Sequence, residues 1–444
     1  MGGKIQRHHD SRISGKAWLA AFACASLATA AQAQQPVPVI AVPPLTTPDD
    51  KPAGNGTTTL GIAWQASQLI AGDLRSTAEV LALPPDRKDY YSYPEVTAPS
   101  FPRWRSLGAK ALLTGFIQAR PDGRIAVGCY VYDVDKGREL GRIGFVAEPE
   151  QWRRAAHKCS GLAYQTLVGA PGVFDTRIAY VAKSGKGDSE VARIAVMDSD
   201  GYNHDYVTPG GTMVLTPSLS PTGDRVAFVS FMGGKPQVRV AELPSGEQRP
   251  ILPNAAGMSF APRFSPDGQW IVFSMQVGLN TDVYVAPASG GPARRLTLSP
   301  GADIDASFSP DGRRILFESD RSGSQQLYVM DADGARQRRV SFGAGAHAAP
   351  EWSPDGEKLA FTLRGGGVLR VGVMDADGRD ERILTSGPRD ESPSWGASSR
   401  ELLFQRTDAA QRTYIYRLPI GGGTPRKIQT PQEAVDPDWS GARD

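Results

Sequence analysis

The C-terminal two-thirds of this 444-residue chain consists of a sequence repeat with a period of 43 to 45 residues. One marker residue per unit stands at positions 220, 265, 309, 353, 396 and 440. Such regularity over five intervals is typical of a repeat architecture. The clearest copies of the marker turn are Leu219-Ser220-Pro221-Thr222-Gly223, Phe264-Ser265-Pro266-Asp267-Gly268, Phe308-Ser309-Pro310-Asp311-Gly312 and Trp352-Ser353-Pro354-Asp355-Gly356.

Each repeat holds enough sequence for four short strands. In the unit that opens at Pro350, a first strand ends at Ser353 and a Pro-Asp-Gly turn follows. The second, third and fourth strands are then predicted from Lys358 to Leu363, from Leu369 to Met374 and from Glu381 to Thr385. Four antiparallel strands in about 44 residues is the content of a propeller blade.

The two ends of the repeat region complement each other. The first copy, Thr176 to Thr208, contains a second, third and fourth strand but no first strand. The last segment, Pro437 to Ser440, is a first strand with nothing after it. Joining the two makes a sixth blade and hides two open sheet edges. The sequence therefore predicts an all-β, six-bladed propeller closed by the C-terminal strand, over residues 174–444.

Residues 34–169 predict a separate α/β domain ahead of the propeller. A strand at Val37 to Ala41 precedes a helix with an apolar face from Ile62 to Leu74. Three strands and a second helix then follow, at Ala111–Ala119, Arg124–Asp133, Glu139–Val146 and Glu148–Leu167. Cys129 and Cys159 both face the predicted helix–sheet core. They form either a disulfide or two buried, reduced thiols.

The N-terminal 33 residues read as a secretory signal peptide. Four basic residues precede an apolar stretch from Ala17 to Ala31, and Ala31-Gln32-Ala33 supplies a small-x-small cleavage pattern. Its removal leaves 45 basic and 46 acidic residues. A nearly neutral chain with no other long apolar segment argues against nucleic-acid binding and against direct insertion into a membrane. From the predicted signal peptide we expect export of the chain to the periplasm.

No arrangement of residues predicts catalysis, a metal site or a cofactor. Gly257-Met258-Ser259-Phe260-Ala261 lacks the last glycine of a hydrolase nucleophile elbow and lies inside the repeats. The Asp-x-Asp-Gly turns, such as Asp331-x-Asp333-Gly334, lack the further oxygen ligands of a calcium loop. The mature histidines, His157, His204 and His347, show no metal-ligand spacing. We therefore predict a binding protein rather than an enzyme.

The whole predicted mature chain resembles the TolB family, the periplasmic propellers of the Tol–Pal system. The resemblance rests on the domain order, the junction Phe174-Asp175-Thr176-Arg177-Ile178-Ala179-Tyr180-Val181, and the helix segments Asp73-Leu74-Arg75 and Trp152-Arg153-Arg154-Ala155-Ala156-His157-Lys158. It implies a monomeric adaptor for outer-membrane integrity and cell division. The implied partners are the lipoprotein Pal, the inner-membrane protein TolA and other outer-membrane proteins. The alternative function is a glycan- or peptidoglycan-binding propeller.

The resemblance and the blade topology together indicate two binding surfaces. The TolA-binding segment would be the extended mature N-terminus, Gln34, Gln35, Pro36, Val37, Pro38 and Val39, because such a segment can add to the edge of a partner's sheet. The Pal-binding surface would be the propeller mouth opposite the Ser-Pro-Asp-Gly turns, formed by the loops that lead into the first strands. Its candidate residues are Met213, Met258, Phe260, Asp303, Asp305, His347, Asp390 and Glu391.

Overall fold

The computed structural model describes residues 37–54, 56–253 and 257–441. The predicted signal peptide and Gln34, Gln35 and Pro36 of the predicted TolA-binding segment lie outside the described residues. Among the helices that are described, none combines the length and the hydropathy that a membrane crossing requires.

The N-terminal α/β domain is a five-stranded sheet with its two long helices packed together. Strand β1 pairs in parallel with β2 and β3, and β3, β4 and β5 form an antiparallel meander. The strands are β1 (Val39–Ala41), β2 (Leu81–Leu83), β3 (Ala111–Ala119), β4 (Ile125–Asp133) and β5 (Arg138–Ala147). The helices are α1 (Thr59–Ser76), α2 (Pro102–Ser106) and α3 (Trp152–Val168).

Local sequence explains where the two long helices begin and end. Thr58 caps α1 by accepting a hydrogen bond from the backbone N–H of Gly61. Gly169 ends α3 in the left-handed conformation, at φ 78°, that a glycine adopts without steric cost. One apolar core joins Ile62, Ile70 and Leu74 of α1 to the sheet and to α3. This confirms the predicted amphipathic helix in α1.

The propeller has six four-stranded antiparallel blades, as predicted. Blade 1 is composite, and its first strand comes from the C-terminus. Its strands, from the innermost outward, are β29 (Glu433–Trp439), β6 (Arg177–Ser184), β7 (Val191–Asp198) and β8 (Asp205–Tyr206). Trp439 pairs with Ile178, and the Trp439 indole N–H donates to the Thr176 hydroxyl over 2.8 Å. The C-terminal strand thus closes the ring.

The five continuous blades repeat the same strand order. Blades 2 and 3 comprise β9 (Val214–Leu219), β10 (Arg225–Ser230), β11 (Gln237–Glu242) and β12 (Gln248–Pro250), then β13 (Met258–Phe264), β14 (Trp270–Val277), β15 (Asn280–Pro287) and β16 (Arg294–Arg295). Blade 4 comprises β17 (Asp303–Phe308), β18 (Arg314–Ser319), β19 (Gln326–Asp331) and β20 (Arg338–Arg339). Blades 5 and 6 comprise β21 (Ala346–Trp352), β22 (Lys358–Gly365), β23 (Val368–Asp375) and β24 (Arg382–Ile383), then β25 (Asp390–Trp395), β26 (Glu401–Thr407), β27 (Thr413–Pro419) and β28 (Arg426–Lys427).

Apolar clusters between neighbouring blades hold the ring together. In five of the six blades the first strand carries an aromatic residue, and in blade 2 it carries Leu219. Phe264 packs with Val238 and Val240 of blade 2, and Trp439 packs with Leu403 and Ile415 of blade 6. These aromatic residues therefore pack on the strands of the preceding blade. Because each cluster is shared by two blades, no blade buries its apolar face alone.

Candidate functional site

The N-terminal domain lies on the propeller face that carries the Ser-Pro-Asp-Gly turns. In a four-stranded antiparallel blade, the turns between strands one and two and between strands three and four lie at the same end. Arg400, in the first kind of turn of blade 6, contacts Glu79 over 2.6 Å. Asp200, in the second kind of turn of blade 1, contacts Arg153 and His157 of α3. The opposite face has no such contact among the described residues.

A buried histidine is the centre of this interdomain contact. The imidazole of His157 in α3 is fully buried, with Nδ1 2.8 Å from Asp73 Oδ2 in α1 and Nε2 3.3 Å from Asp200 Oδ2 in blade 1. Ser160 also donates to Asp73 over 2.6 Å. Burial lowers the pKa of His157, but the bonds to Asp200 and Asp73 outweigh it and raise the pKa to about 10. The imidazole is therefore charged at neutral pH.

Beside this histidine an interdomain cleft of about 750 Å³ opens between α1, α3 and the outer turn of blade 1. The Arg153 guanidinium stacks on the Tyr202 ring at 3.5 Å and binds Asp200 at one wall. Burial raises the pKa of Asp200, but the interaction with His157, the Tyr202 backbone N–H and the Arg153 charge together outweigh it, and the pKa falls to about 2. The contact of His157 and Arg153 with Asp200 thus joins the two domains.

The two cysteines of the N-terminal domain are bonded to each other. Cys129 of β4 and Cys159 of α3 form a disulfide with a Cα–Cα distance of 5.8 Å. Of the two alternatives that the sequence leaves open, the structure therefore has the disulfide. It ties α3, two residues from His157, to the sheet.

Three residues of the predicted Pal surface are buried in the described conformation. Asp303 and Asp390 have no exposed surface; each is held by an arginine of its own blade, Arg321 at 2.8 Å and Arg406 at 2.6 Å. His347 is also fully buried, with its ring on Phe361 and Nε2 3.2 Å from Glu381 Oε1. In the described conformation these side chains support the loops and present no surface to a partner.

The remaining predicted residues lie in two different places. Asp305 lines a small axial cavity of about 80 Å³, with residues from the first strands of all six blades. Glu391 is partly buried beside Arg389, and Phe260 and Met258 are partly buried in β13. Met213 is 53% exposed at the open mouth. The structure therefore does not bring the eight residues into one contact patch.

Apolar residues at the open mouth extend the surface around Met213, and the sequence analysis missed them. The Met213 carbonyl accepts from the Phe231 N–H over 3.0 Å, which places the exposed Met232 beside it. Leu279 is fully exposed at a hairpin tip, and Asn280 of the same hairpin donates to the Ser299 carbonyl, next to the exposed Leu298. Apolar residues at hairpin tips, where polar residues are usual, were the available signal. We name Met213, Met232, Leu279 and Leu298 the apolar rim.

The axial cavity is surrounded by a ring of residues with positive φ. One residue in each first strand has φ between 44° and 53°, at a β-bulge against the second strand. These residues are Thr216, Ala261, Asp305, Ala349, Ser392 and Asp436. In five of them a proline follows directly, which keeps the backbone out of the regular ladder. Among the described residues, no group of three His, Cys, Asp or Glu side chains could hold a metal ion.

The predicted TolA-binding segment is described only at its C-terminal end. Val39 opens β1 and pairs with Leu81, and Ile40 is fully buried. Val37 is 48% exposed. The last residue of the predicted segment is therefore part of an inner strand of the N-terminal sheet.

Comparison with known proteins adds the family. The model of the TolB beta propeller domain matches residues 164–443, and the model of the TolB amino-terminal domain matches residues 30–140. The chain is similar to the Tol-Pal system protein TolB of Zymomonas mobilis (47% identity over 220 residues, 49% of this chain and 47% of that protein). It is also similar to that of Rhizorhabdus wittichii (45% over 203 residues, 45% of each). The chain thus spans about half the length of these curated relatives.

A solved structure extends the likeness to both domains. The crystal structure of TolB from Acinetobacter baumannii superimposes with a TM-score of 0.75 at 26% identity. The alignment covers 92% of this chain and 97% of that one.

Proposed function

The chain belongs to the TolB family of propeller proteins, and from this premise we propose that it is a periplasmic adaptor of the Tol–Pal system. In this proposal the open mouth of the propeller binds the lipoprotein Pal, and the mature N-terminus binds TolA. The adaptor thereby serves outer-membrane integrity and cell division. No catalytic step is part of the proposal.

The observation that carries the proposal is the division of the propeller into a covered and an open face. The N-terminal domain occupies the face of the Ser-Pro-Asp-Gly turns through Glu79, Arg153 and His157. The apolar rim lies on the other face, where methionine side chains suit an adaptable protein contact. An adaptor needs two surfaces that two partners can reach at the same time.

The Pal contact is tested at the apolar rim. We expect Met213→Asp combined with Met232→Asp to weaken binding of the soluble domain of the cognate Pal at least tenfold, about 1.4 kcal/mol, by isothermal titration calorimetry. The matched control is Arg313→Asp, an exposed change in a turn of the covered face. An unchanged Kd in the double variant contradicts the Pal surface. Binding of isolated peptidoglycan and not of Pal would favour the glycan-binding alternative.

The TolA contact is tested by a deletion that spares β1. Removing residues 34–37 takes away the extended segment and leaves the pairing of Val39 with Leu81. We expect loss of TolA binding with the melting temperature unchanged. TolA binding that survives this deletion would place the contact elsewhere.

We propose further that the two surfaces communicate through the contact at His157. By thermodynamic linkage, the factor by which bound TolA changes the affinity for Pal must equal the factor by which bound Pal changes the affinity for TolA. Titrating each partner in the presence and absence of the other measures both factors. If neither partner changes the affinity for the other, both factors equal one and the two surfaces act independently.

A further inference from the structure

A repeated contact between neighbouring blades places a cation on the aromatic residue of the next first strand. The Arg225 guanidinium lies 5.2 Å from the centre of the Phe264 ring, and one of its nitrogens donates to the Gly268 carbonyl over 2.9 Å. Arg314 lies in the same way over Trp352, at 4.8 Å. The position is the first residue of the second strand, two residues after the glycine of the marker turn.

The other blades keep a cation near this position even where the residue changes. Arg177 occupies it in blade 1 and donates to the Gly223 carbonyl over 2.9 Å. In blade 6 the position is Glu401, and this carboxylate holds the Arg417 guanidinium 5.3 Å from the Trp439 ring. The sites after blades 2, 4 and 6 therefore combine an aromatic face with a guanidinium. In the other two sister sites, Leu219 replaces the aromatic residue and Lys358 replaces the arginine.

The site between blades 3 and 4 departs from this pattern. Trp270 stands where Arg225 and Arg314 stand in the sister blades, and its side chain is 45% exposed. A cleft of about 360 Å³ opens here, lined by Trp270, Phe308, the Gly312 turn and two turn aspartates, Asp267 and Asp311. The cleft has the volume of a side chain and keeps the aromatic face and the glycine turn of the sister sites.

The charges that line the cleft favour a cation. Asp267 accepts from the Ser265 hydroxyl over 2.5 Å, and Asp311 accepts from Ser309 in the same way. These hydrogen bonds hold the pKa of each aspartate below its usual value, so both are ionised at neutral pH. The one arginine at the cleft, Arg294, donates instead to the carbonyls of Ala332 and Asp333 in the next turn.

The geometry points to a binding site for an arginine side chain of a partner's extended segment, inserted between Trp270 and Phe308. Its guanidinium would take the place that the chain's own arginines take in the sister sites, stacked on the aromatic face, bound to the Gly312 carbonyl and facing the two aspartates. Arginine suits the site better than lysine because its planar head stacks and donates in fixed directions. The site lies on the covered face of the propeller, apart from the proposed Pal surface.

The test uses a blocked tripeptide, N-acetyl-Gly-Arg-Gly-amide, and its citrulline counterpart, which keeps the shape of the arginine and lacks its charge. We expect saturation-transfer NMR to detect binding of the arginine peptide to the mature chain and none of the citrulline peptide. The indole N–H signal of Trp270 should shift on the same titration. Equal signals from the two peptides, or no arginine signal, overturn the proposal.

Two variants locate the site. Trp270→Arg restores the residue of the sister blades, so we expect it to raise the melting temperature and to abolish peptide binding by filling the site from within. Asp311→Asn keeps the turn and should weaken binding about threefold by removing one charge. Phe342→Arg, an apolar-to-arginine change at a more exposed position elsewhere on the propeller, is the control and should bind as the unmodified chain does. Full peptide binding by the Trp270→Arg variant contradicts the site.

Discussion

At the scale of single residues, polar side chains fasten neighbouring blades to each other. In four of the six blades, the backbone N–H of the positive-φ residue donates to a side chain on the second strand of the preceding blade. Ser392 donates to Thr362 over 3.1 Å, and Asp436 donates to Gln405 over 2.7 Å. Ala349 donates to Glu318 over 3.2 Å, and here the acceptor is a carboxylate. A neutral amide performs the same task at Gln405, so the charge of Glu318 is not required.

Glu318→Gln should stabilise the propeller at alkaline pH. Burial, with the nearby Asp305 charge, raises the pKa of Glu318 to about 8. Because its folded pKa is above its unfolded value, the carboxyl costs stability as pH rises from about 4.5 through about 8. We expect the variant to gain about 1–3 kcal/mol in unfolding free energy at pH 9 and little at pH 4.5. Urea denaturation at the two pH values measures this, and an equal effect at both would contradict the raised pKa.

At the scale of elements, the outer turns of five blades lie against the preceding blade, and that of blade 6 does not. Gly378 ends such a turn at φ 93°, and a Cβ built on it would lie 1.9 Å from the Val340 carbonyl oxygen of blade 4. Gly422 ends the corresponding turn of blade 6 at φ 101°, with open space around it. The same backbone conformation thus occurs with and without a close neighbour. Substituting each of the two glycines therefore separates the cost of the backbone conformation from the cost of the close packing.

Gly378→Ala should destabilise the chain more than Gly422→Ala. Both changes place a side chain at positive φ, which costs about 1 kcal/mol. Only Gly378→Ala adds a collision with backbone, which must shift blade 4 against blade 5. We expect its unfolding free energy to fall by about 2 kcal/mol beyond that of the control. Chemical denaturation measures the unfolding free energy of both variants. Equal decreases in the two variants would show that blade 4 can shift against blade 5 without a loss of stability.

At the scale of the whole molecule, the buried His157 joins three elements that are far apart in sequence. Its imidazole lies between Asp73 of α1 and Asp200 of blade 1. Removing one member of a buried ionic group leaves the others without their counter-charge, which costs about 3–5 kcal/mol. The protonated ring is therefore one of the ionic contacts that connect the two domains, with Arg153–Asp200 and Arg400–Glu79.

His157→Gln should lower the unfolding free energy by about 3 kcal/mol at pH 7 and increase amide exchange at the domain contact. The folded pKa of about 10 lies above the unfolded value, so the histidine's contribution is complete below pH 6.5 and is lost as pH rises through 10. The variant should lack this alkaline loss. His204→Gln is the control, because burial lowers the pKa of His204 and it carries no charge to lose at alkaline pH. Identical alkaline profiles for His157→Gln and the unmodified chain would contradict the charged contact.

Much of the fold is readable from the sequence because it follows local periodicity. The strand Ala111–Ala119 has its predicted bounds, and the marker spacing predicts six blades and the pairing of Trp439 with the first partial blade. The strand Leu81–Leu83 was missed, since three residues are too few to show an alternation. The burial of Asp303, Asp390 and His347 was also missed, because position in a loop says nothing of the arginine or aromatic ring that covers it.

The sequence by itself determined the elements, their repeat and the closure of the ring, since hydrophobic period, turn residues and unit length act over short stretches of chain. Only the tertiary structure decided which residues meet across blades and domains. His157 meets Asp200 across 43 positions, and Cys129 meets Cys159 across 30. Such contacts depend on how packed elements are oriented in three dimensions, and a pattern along one strand or helix carries no information about its neighbour's side chains.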